Sequence, residues 1–196
     1  MNAAAHPLPQ TSSSASAGSS GSAIDAVTLK ALADFPAQLA AHFALFPAEA
    51  RHWAPPSWDG VPSEPLTAIE QICHVRDIEI EGYQQRIRRT LSEDDPLLPS
   101  LDTDALARDR RYGEDDAAAA LAAFTAARAR TLAMLAEITP EQLTRRARFD
   151  GYGPLTFKAL IHYLCSHDQQ HLAGLQWLLG QLDAGDASPV LRPLGR

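Results

Sequence analysis

The stretch His162-Tyr163-Leu164-Cys165-Ser166-His167-Asp168-Gln169-Gln170-His171 decides how the chain is read. His167 and His171 are four residues apart, so on a helix of about 3.6 residues per turn they stand on one face, near enough to share a metal ion. Leu160, Leu164, Leu175, Leu178 and Leu182 fall along the same seam, which makes the stretch part of a helix running from Pro154 to Leu182. A histidine in an apolar seam costs free energy unless its ring nitrogens find partners. A shared metal ion satisfies both residues; hydrogen bonds inside the core are the alternative.

Working outward, three more long segments carry apolar residues at helical intervals. Val27, Leu32, Phe35, Leu39, Phe43 and Phe46 mark a first helix over about 24–46. Pro36 should kink or split it, because an internal proline removes a hydrogen bond and clashes with the preceding turn. Ile69, Ile72, Cys73, Ile80, Tyr83, Ile87 and Leu91 mark a second over about 66–91, introduced by Ser63 and Pro65. Leu121, Phe124, Leu132 and Leu135 mark a third over about 115–138, with Glu114, Asp115 and Asp116 at its positive end. The fourth begins at Pro154, a favoured first-turn residue.

The segment 47–65 holds Trp53, Pro55, Pro56, Trp58, Gly60 and Pro62, too many breakers for a helix, and its tryptophans are expected to pack over the end of the core. A turn of helix is expected near 103–108 in the connection over 92–113. Thr139 caps a short turn before a polar segment ending in Gly151-Tyr152-Gly153. Four helices make an all-α four-helix bundle, with an inward-facing site between helices, the economical architecture.

At 196 residues the chain suits one domain, placed at 23–184, between a disordered Ser- and Ala-rich tail over 1–22 and a second tail over 185–196. The net charge of -7 offers no basic field for nucleic acid or an anionic membrane. No apolar run reaches the roughly 18–20 residues that span a bilayer. Cys73 and Cys165 are too few for a disulfide framework and both lie in helices, so core cysteines in a reduced, cytoplasmic protein are expected. The N-terminus has no Lys or Arg ahead of an apolar core and does not read as a secretory signal.

Three histidines with an open fourth position are a common set for zinc or a similar borderline metal, so the pair needs a third ligand. His74 is the only histidine in the interior of another expected helix. On a regular helical wheel, however, it lies more than a quarter turn from the middle of the Ile69, Cys73, Ile80, Ile87 stripe. His42 is a weaker candidate, His52 sits in the Trp-rich loop, His162 faces away from His167, and His6 is in the tail. The run His167 to His171 has the HExxH spacing of zinc proteases with Asp168 in place of Glu, but no glutamate follows as a downstream ligand. A di-iron bundle needs Glu-x-x-His pairs, and Glu70 and His74 are four apart.

Ile72-Cys73-His74-Val75-Arg76-Asp77, Gly153-Pro154-Leu155-Thr156 and His167-Asp168-Gln169-Gln170-His171-Leu172 resemble the DinB-like, or YfiT-like, four-helix-bundle metalloproteins. The Trp- and Pro-bearing loop and the run from Phe124 to Leu135, with Arg128 inside it, extend the resemblance over about 27–182. It implies that His74, His167 and His171 bind a divalent metal, zinc or nickel. It also implies a low-molecular-weight thiol such as bacillithiol, mycothiol or glutathione as the fourth ligand, presented as thiolate to a small electrophilic substrate. A homodimer belongs to the same expectation. Asp77 and Asp168 would orient ligand imidazoles, while Arg110, Arg111 and Arg128 are read chiefly as surface salt-bridge residues. The expected function is therefore a thiol-dependent transferase, with a non-catalytic, stress-associated metal-binding bundle and a metal-dependent hydrolase as alternatives.

Overall fold

The long helices begin where polar side chains take up free backbone N–H groups. Asp25 accepts from the Thr28 amide at 2.8 Å and starts α1 (Ala26–Ala44). Glu70 reaches back to the Thr67 amide and hydroxyl, at 2.8 and 2.7 Å, and fixes the start of α2 (Ala68–Asp77). In this computed structural model, which describes residues 22–186, α2 runs through a π-helical segment, Ile78–Tyr83, into α3 (Gln84–Ser92). Then come β1 (Leu97–Leu98) and α4 (Thr103–Asp109). Asp116 accepts from the amides of Ala118 and Ala119 and opens α5 (Ala117–Ala136). The chain closes with α6 (Pro140–Leu143), β2 (Arg146–Phe149), β3 (Gly153–Thr156) and α7 (Phe157–Asp186).

Helices α1 and α2 each pack on both α5 and α7 and touch each other only slightly, so the first two long helices lie across the diagonal of the bundle. The core has two apolar clusters stacked along the bundle. One gathers Leu32, Ile78, Ile87, Leu135, Leu160 and Leu164. The other gathers Phe35, Leu39, Ile72, Phe124, Leu172 and Leu175. On α5 and α7 polar side chains fall between the clusters: Arg128 and Thr131 on one, His167, Asp168 and His171 on the other. A polar layer thus crosses the middle of the bundle.

Several local expectations change. Pro36 does not split α1, which is continuous across it. Ser63 does not cap the second helix; Thr67 does. Pro154 is not a first helical residue but lies in β3, paired with Arg148 of β2. β3 is an edge strand of the sheet β1-β2-β3, parallel then antiparallel, where a residue without an N–H is tolerated. Gly151, at φ 80°, makes the turn that folds β3 back on β2. Trp58 stacks on Trp177 of α7 at 6.1 Å, so the loop does cover one end of the core.

The tail assignments over 1–22 and 185–196 fall almost wholly outside the described residues; α7 itself continues to Asp186. Contrary to the expectation from apolar runs, one helix, α5, is long and apolar enough to cross a membrane by length and composition, with mean hydropathy 1.2. Its hydropathy comes largely from alanine, and its middle carries the buried Arg128 into the bundle core.

Candidate metal centre

His74 comes from α2, and His167 and His171 from α7, which packs against it. Their three Nε2 atoms converge: His167 Nε2 is 3.2 Å from His74 Nε2 and 3.2 Å from His171 Nε2. His74 and His171 are buried, and His167 is partly open. The wheel that put His74 off the apolar stripe, although it was the expected third ligand, assumed regular α-helix through residue 87. The π segment follows it directly, and its wider turns rotate the downstream apolar stripe relative to His74. Nearly every residue of α2 is buried, so no single stripe defines its inner face.

Burial and hydrogen bonding fit the three rings to a cation. Burial depresses the pKa of His167 and His171 well below 6.5, and their charged neighbours push the same way. Burial lowers His74 too, opposed by the Glu64 and Asp77 carboxylates. Neutral imidazoles are the ligating form. His171 Nδ1 donates to Gln71 Oε1, which leaves the lone pair on Nε2, facing the other two rings. The Gln71 amide is oriented in turn, its Nε2 donating to Ser63 Oγ at 2.8 Å and Leu66 O at 3.3 Å. Tetrahedral ligation at about 2.0–2.1 Å places nitrogens roughly 3.3 Å apart, close to both observed separations.

Two contributors were missed from sequence. Gln71 lies three residues before His74 and shares its side of the helix. Glu64 reaches in from the loop before α2, with Oε2 3.3 Å from His171 Nε2 and Oε1 3.9 Å from His74 Nε2. The close approach of that loop depends on Gly174, because a Cβ there would meet Ser63 Oγ at 2.4 Å and Gln71 Nε2 at 3.0 Å. A glycine inside a helix, three residues beyond a histidine, was the available signal: it costs about 1 kcal/mol relative to alanine and asks for a packing reason.

The expected imidazole-orienting carboxylates are engaged elsewhere. Asp168, beside His167 in sequence, makes a bidentate pair with Arg128, at 2.6 and 2.9 Å. Burial raises its carboxyl to about 7, and the guanidinium opposes the rise. Arg128 also binds both oxygens of Glu79 at 3.0 Å and donates to Leu32 O at 3.0 Å. Its reading as a surface residue is corrected: it is 1% exposed and its partners lie in the core. Asp77 accepts from Arg76, Arg110 and Tyr112; burial raises its pKa, but these hydrogen bonds outweigh the rise and hold it below the usual carboxylate value. Arg110 and Arg111 do pair on the surface, with Glu81 and Glu114. Cys73 is sealed in the core, with its thiol pushed up to about 12 by burial, and Cys165 packs half-buried against the other cluster. His42 bonds Gln38 and Gln176, away from the cluster.

A cavity of about 200 Å³ opens on the histidines, lined by Glu64, His74, His167, Tyr83, Arg86 and Tyr152 among others. Larger hollows of about 380 and 410 Å³, against either side of α1, lie away from the three histidines. The arrangement offers three neutral nitrogen donors, a carboxylate beside two of them, and room for a small molecule.

No curated protein matches the sequence. Among solved structures, YfiT from Bacillus subtilis, described as "a probable metal-dependent hydrolase with an unusual four-helix bundle topology", shares the fold with a TM-score of 0.67. It is 20% identical, and the match covers 80% of this chain and 86% of that one. The sequence profile of the DinB superfamily matches residues 31–175. The diagonal four-helix bundle and this match, spanning most of the chain, lead to one conclusion: the chain belongs to the DinB superfamily.

Proposed function

We propose that the chain is a divalent-metal-dependent hydrolase of small molecules, with His74, His167 and His171 holding one ion through Nε2 and Glu64 acting as proton acceptor. The observation that carries this reading is the position of Glu64, within 4 Å of the Nε2 atoms of His74 and His171 and in the wall of the cavity that His167 also lines. Three imidazoles suit zinc or nickel. Such an ion supplies Lewis acidity, polarising a carbonyl and lowering the pKa of water or a thiol.

The chain's residues do the rest. Gln71 holds the His171 tautomer and ring orientation. Glu64 takes a proton from the attacking water as its oxygen bonds to the acyl carbon. The bond from that carbon to the leaving oxygen or nitrogen then breaks, and Glu64 returns the proton to the leaving group. The description of the Bacillus subtilis neighbour supports the same class.

The decisive measurements are metal content and turnover together. Wild type should carry about one ion per chain and cleave ester or amide substrates without added thiol; chelation abolishes cleavage. His74→Ala, His167→Ala and His171→Ala should each lose the metal, whereas Glu64→Gln keeps it and loses turnover on the order of 10²–10⁴-fold. Undiminished metal in all three histidine variants ends the proposal. Turnover that requires bacillithiol, mycothiol or glutathione would replace it with the transferase implied by the family resemblance. Metal without turnover under either condition would leave the non-catalytic bundle.

A further inference from the structure

Arg86 lines the cavity beside His74 and His167, and its environment is unusual for a buried cation. It is 6% exposed, yet among the described residues no carboxylate pairs with it. Of its three guanidinium nitrogens, only Nη2 has a protein partner, Pro99 O at 3.1 Å. Nε is buried without a partner, while Nη1, also unbonded, is not sealed off in that way. The guanidinium is instead held between aromatic rings, 4.4 Å from the centroid of Phe149 and 5.2 Å from that of Tyr83. These fix its plane but leave its charge unneutralised.

The backbone makes room for it. A Cβ at Gly82 would meet Arg86 Nη1 at 2.9 Å. Gly82 lies in the π segment, the same segment that carries Tyr83 to the cavity wall. A buried arginine without a counter-ion is costly, and the protein holds it in place beside an open cavity. That combination calls for an anion from outside the chain.

We infer that Arg86 anchors a single carboxylate of the substrate, so that the molecules placed against the three histidines are small carboxylate-bearing esters or amides. The reactive half of this statement rests on the hydrolase reading; the carboxylate subsite stands on Arg86 alone. One charge is favoured over two because, among the described residues, Arg86 is the only arginine or lysine in the cavity wall and Glu64 shares the space, which sets a phosphate dianion against a carboxylate. A cavity of about 200 Å³ falls below the usual range of drug-sized sites, roughly 300–1,000 Å³. An arginine fork also matches a planar carboxylate.

The test is calorimetric titration of propionate, with uncharged propionamide as the matched control, into the zinc-loaded full chain. Wild type should prefer propionate at least about tenfold, the size of one charge-assisted hydrogen bond. Arg86→Gln should abolish that preference with zinc content and near-ultraviolet circular dichroism unchanged. Gly82→Ala, which displaces the guanidinium without removing its charge, should weaken it. His167→Ala, which loses the ion, should keep it. Equal binding of the two probes by wild type overturns the inference. So does a preference that survives in Arg86→Gln, since the carboxylate would then sit on the zinc. If wild type holds neither zinc nor nickel, the proposed function fails, and the same titration still judges Arg86.

Discussion

Arg128 on α5 and Arg86 on α3 are both buried, at 1% and 6% exposure, yet the first is met by two carboxylates and the second by one backbone carbonyl. Around Arg128, Glu79, Asp168 and Leu32 O gather in one sealed layer, which ties the π segment, α7 and α1 to α5. Both guanidiniums lie over aromatic rings and each lines a hollow, but Arg86, beside the histidine cavity, has no carboxylate partner among the described residues. Charge burial is expensive in both places, but only in the first does the chain supply the compensation itself. Helix α7 shows the same division in adjacent residues: Asp168 turns to the sealed side, His167 to the cavity. The contrast separates polar groups that hold the bundle together from polar groups held ready for something else.

Removing Arg128 should have the largest effect. Arg128→Met leaves Glu79 and Asp168 buried without their cation, and the expected loss is about 3–5 kcal/mol in urea unfolding. Asp168→Asn, which keeps Glu79 on the guanidinium, should cost less. An unchanged midpoint in Arg128→Met would break the contrast at its structural end.

Acid sharpens it at the other end. The folded-state pKa values of His74, His167 and His171 lie below the ordinary 6.5, so the unfolded chain binds protons first as pH falls. Stability is therefore full above about 6.5 and lost as pH drops below it. The slope is about 1.4 kcal/mol per pH unit for each histidine that stays neutral in the fold. Asp77, whose folded pKa is also depressed, acts with the same sign in a lower window: its contribution is present above the unfolded value of 3.8 and lost only below that. Asp168, whose folded pKa is raised to about 7, binds its proton in the fold over this window and so offsets part of the slope; the loss that remains between pH 6.5 and 5 belongs to the histidines. Urea unfolding of metal-stripped protein at those two pH values reads it, and His167→Gln should reduce the difference by the share of one histidine; an equal difference in that variant would remove His167 from the account.

The sealed side and the open side were not equally legible in the sequence. Helical periodicity located the four long helices and the His-x-x-x-His pair, because a seam repeating every 3.6 residues is written directly in residue type. The expectation that Thr139 caps a short turn also held, as a side chain acting within its own neighbourhood. What periodicity misses is a change in the period itself: the π segment at Ile78–Tyr83 shifted the phase that made His74 look misplaced. Long-range polar pairing was equally hidden. Arg128 and Asp168 are 40 residues apart, and nothing local distinguishes a buried arginine from a surface one. Glu64 sits in a loop whose path is set by its contact with Gly174, 110 residues later. The small sheet escaped because β1 has two residues and β3 begins with Gly153-Pro154, a sequence that equally suits a helix start.

The smallest expected effect is also the most discriminating. Arg86→Met keeps most of the stem's packing while removing the charge. It gives up one hydrogen bond to Pro99 O and two ring contacts, worth about 0.5–1 kcal/mol each, and recovers the desolvation cost of a cation that has no counter-ion. These terms are similar in size and opposite in sign. The unfolding midpoint of Arg86→Met should therefore stay within about 1 kcal/mol of wild type, measured beside Arg128→Met under the same conditions. A loss approaching that of Arg128→Met would mean that the bundle depends on Arg86 for its own stability, and the two arginines would then play one role.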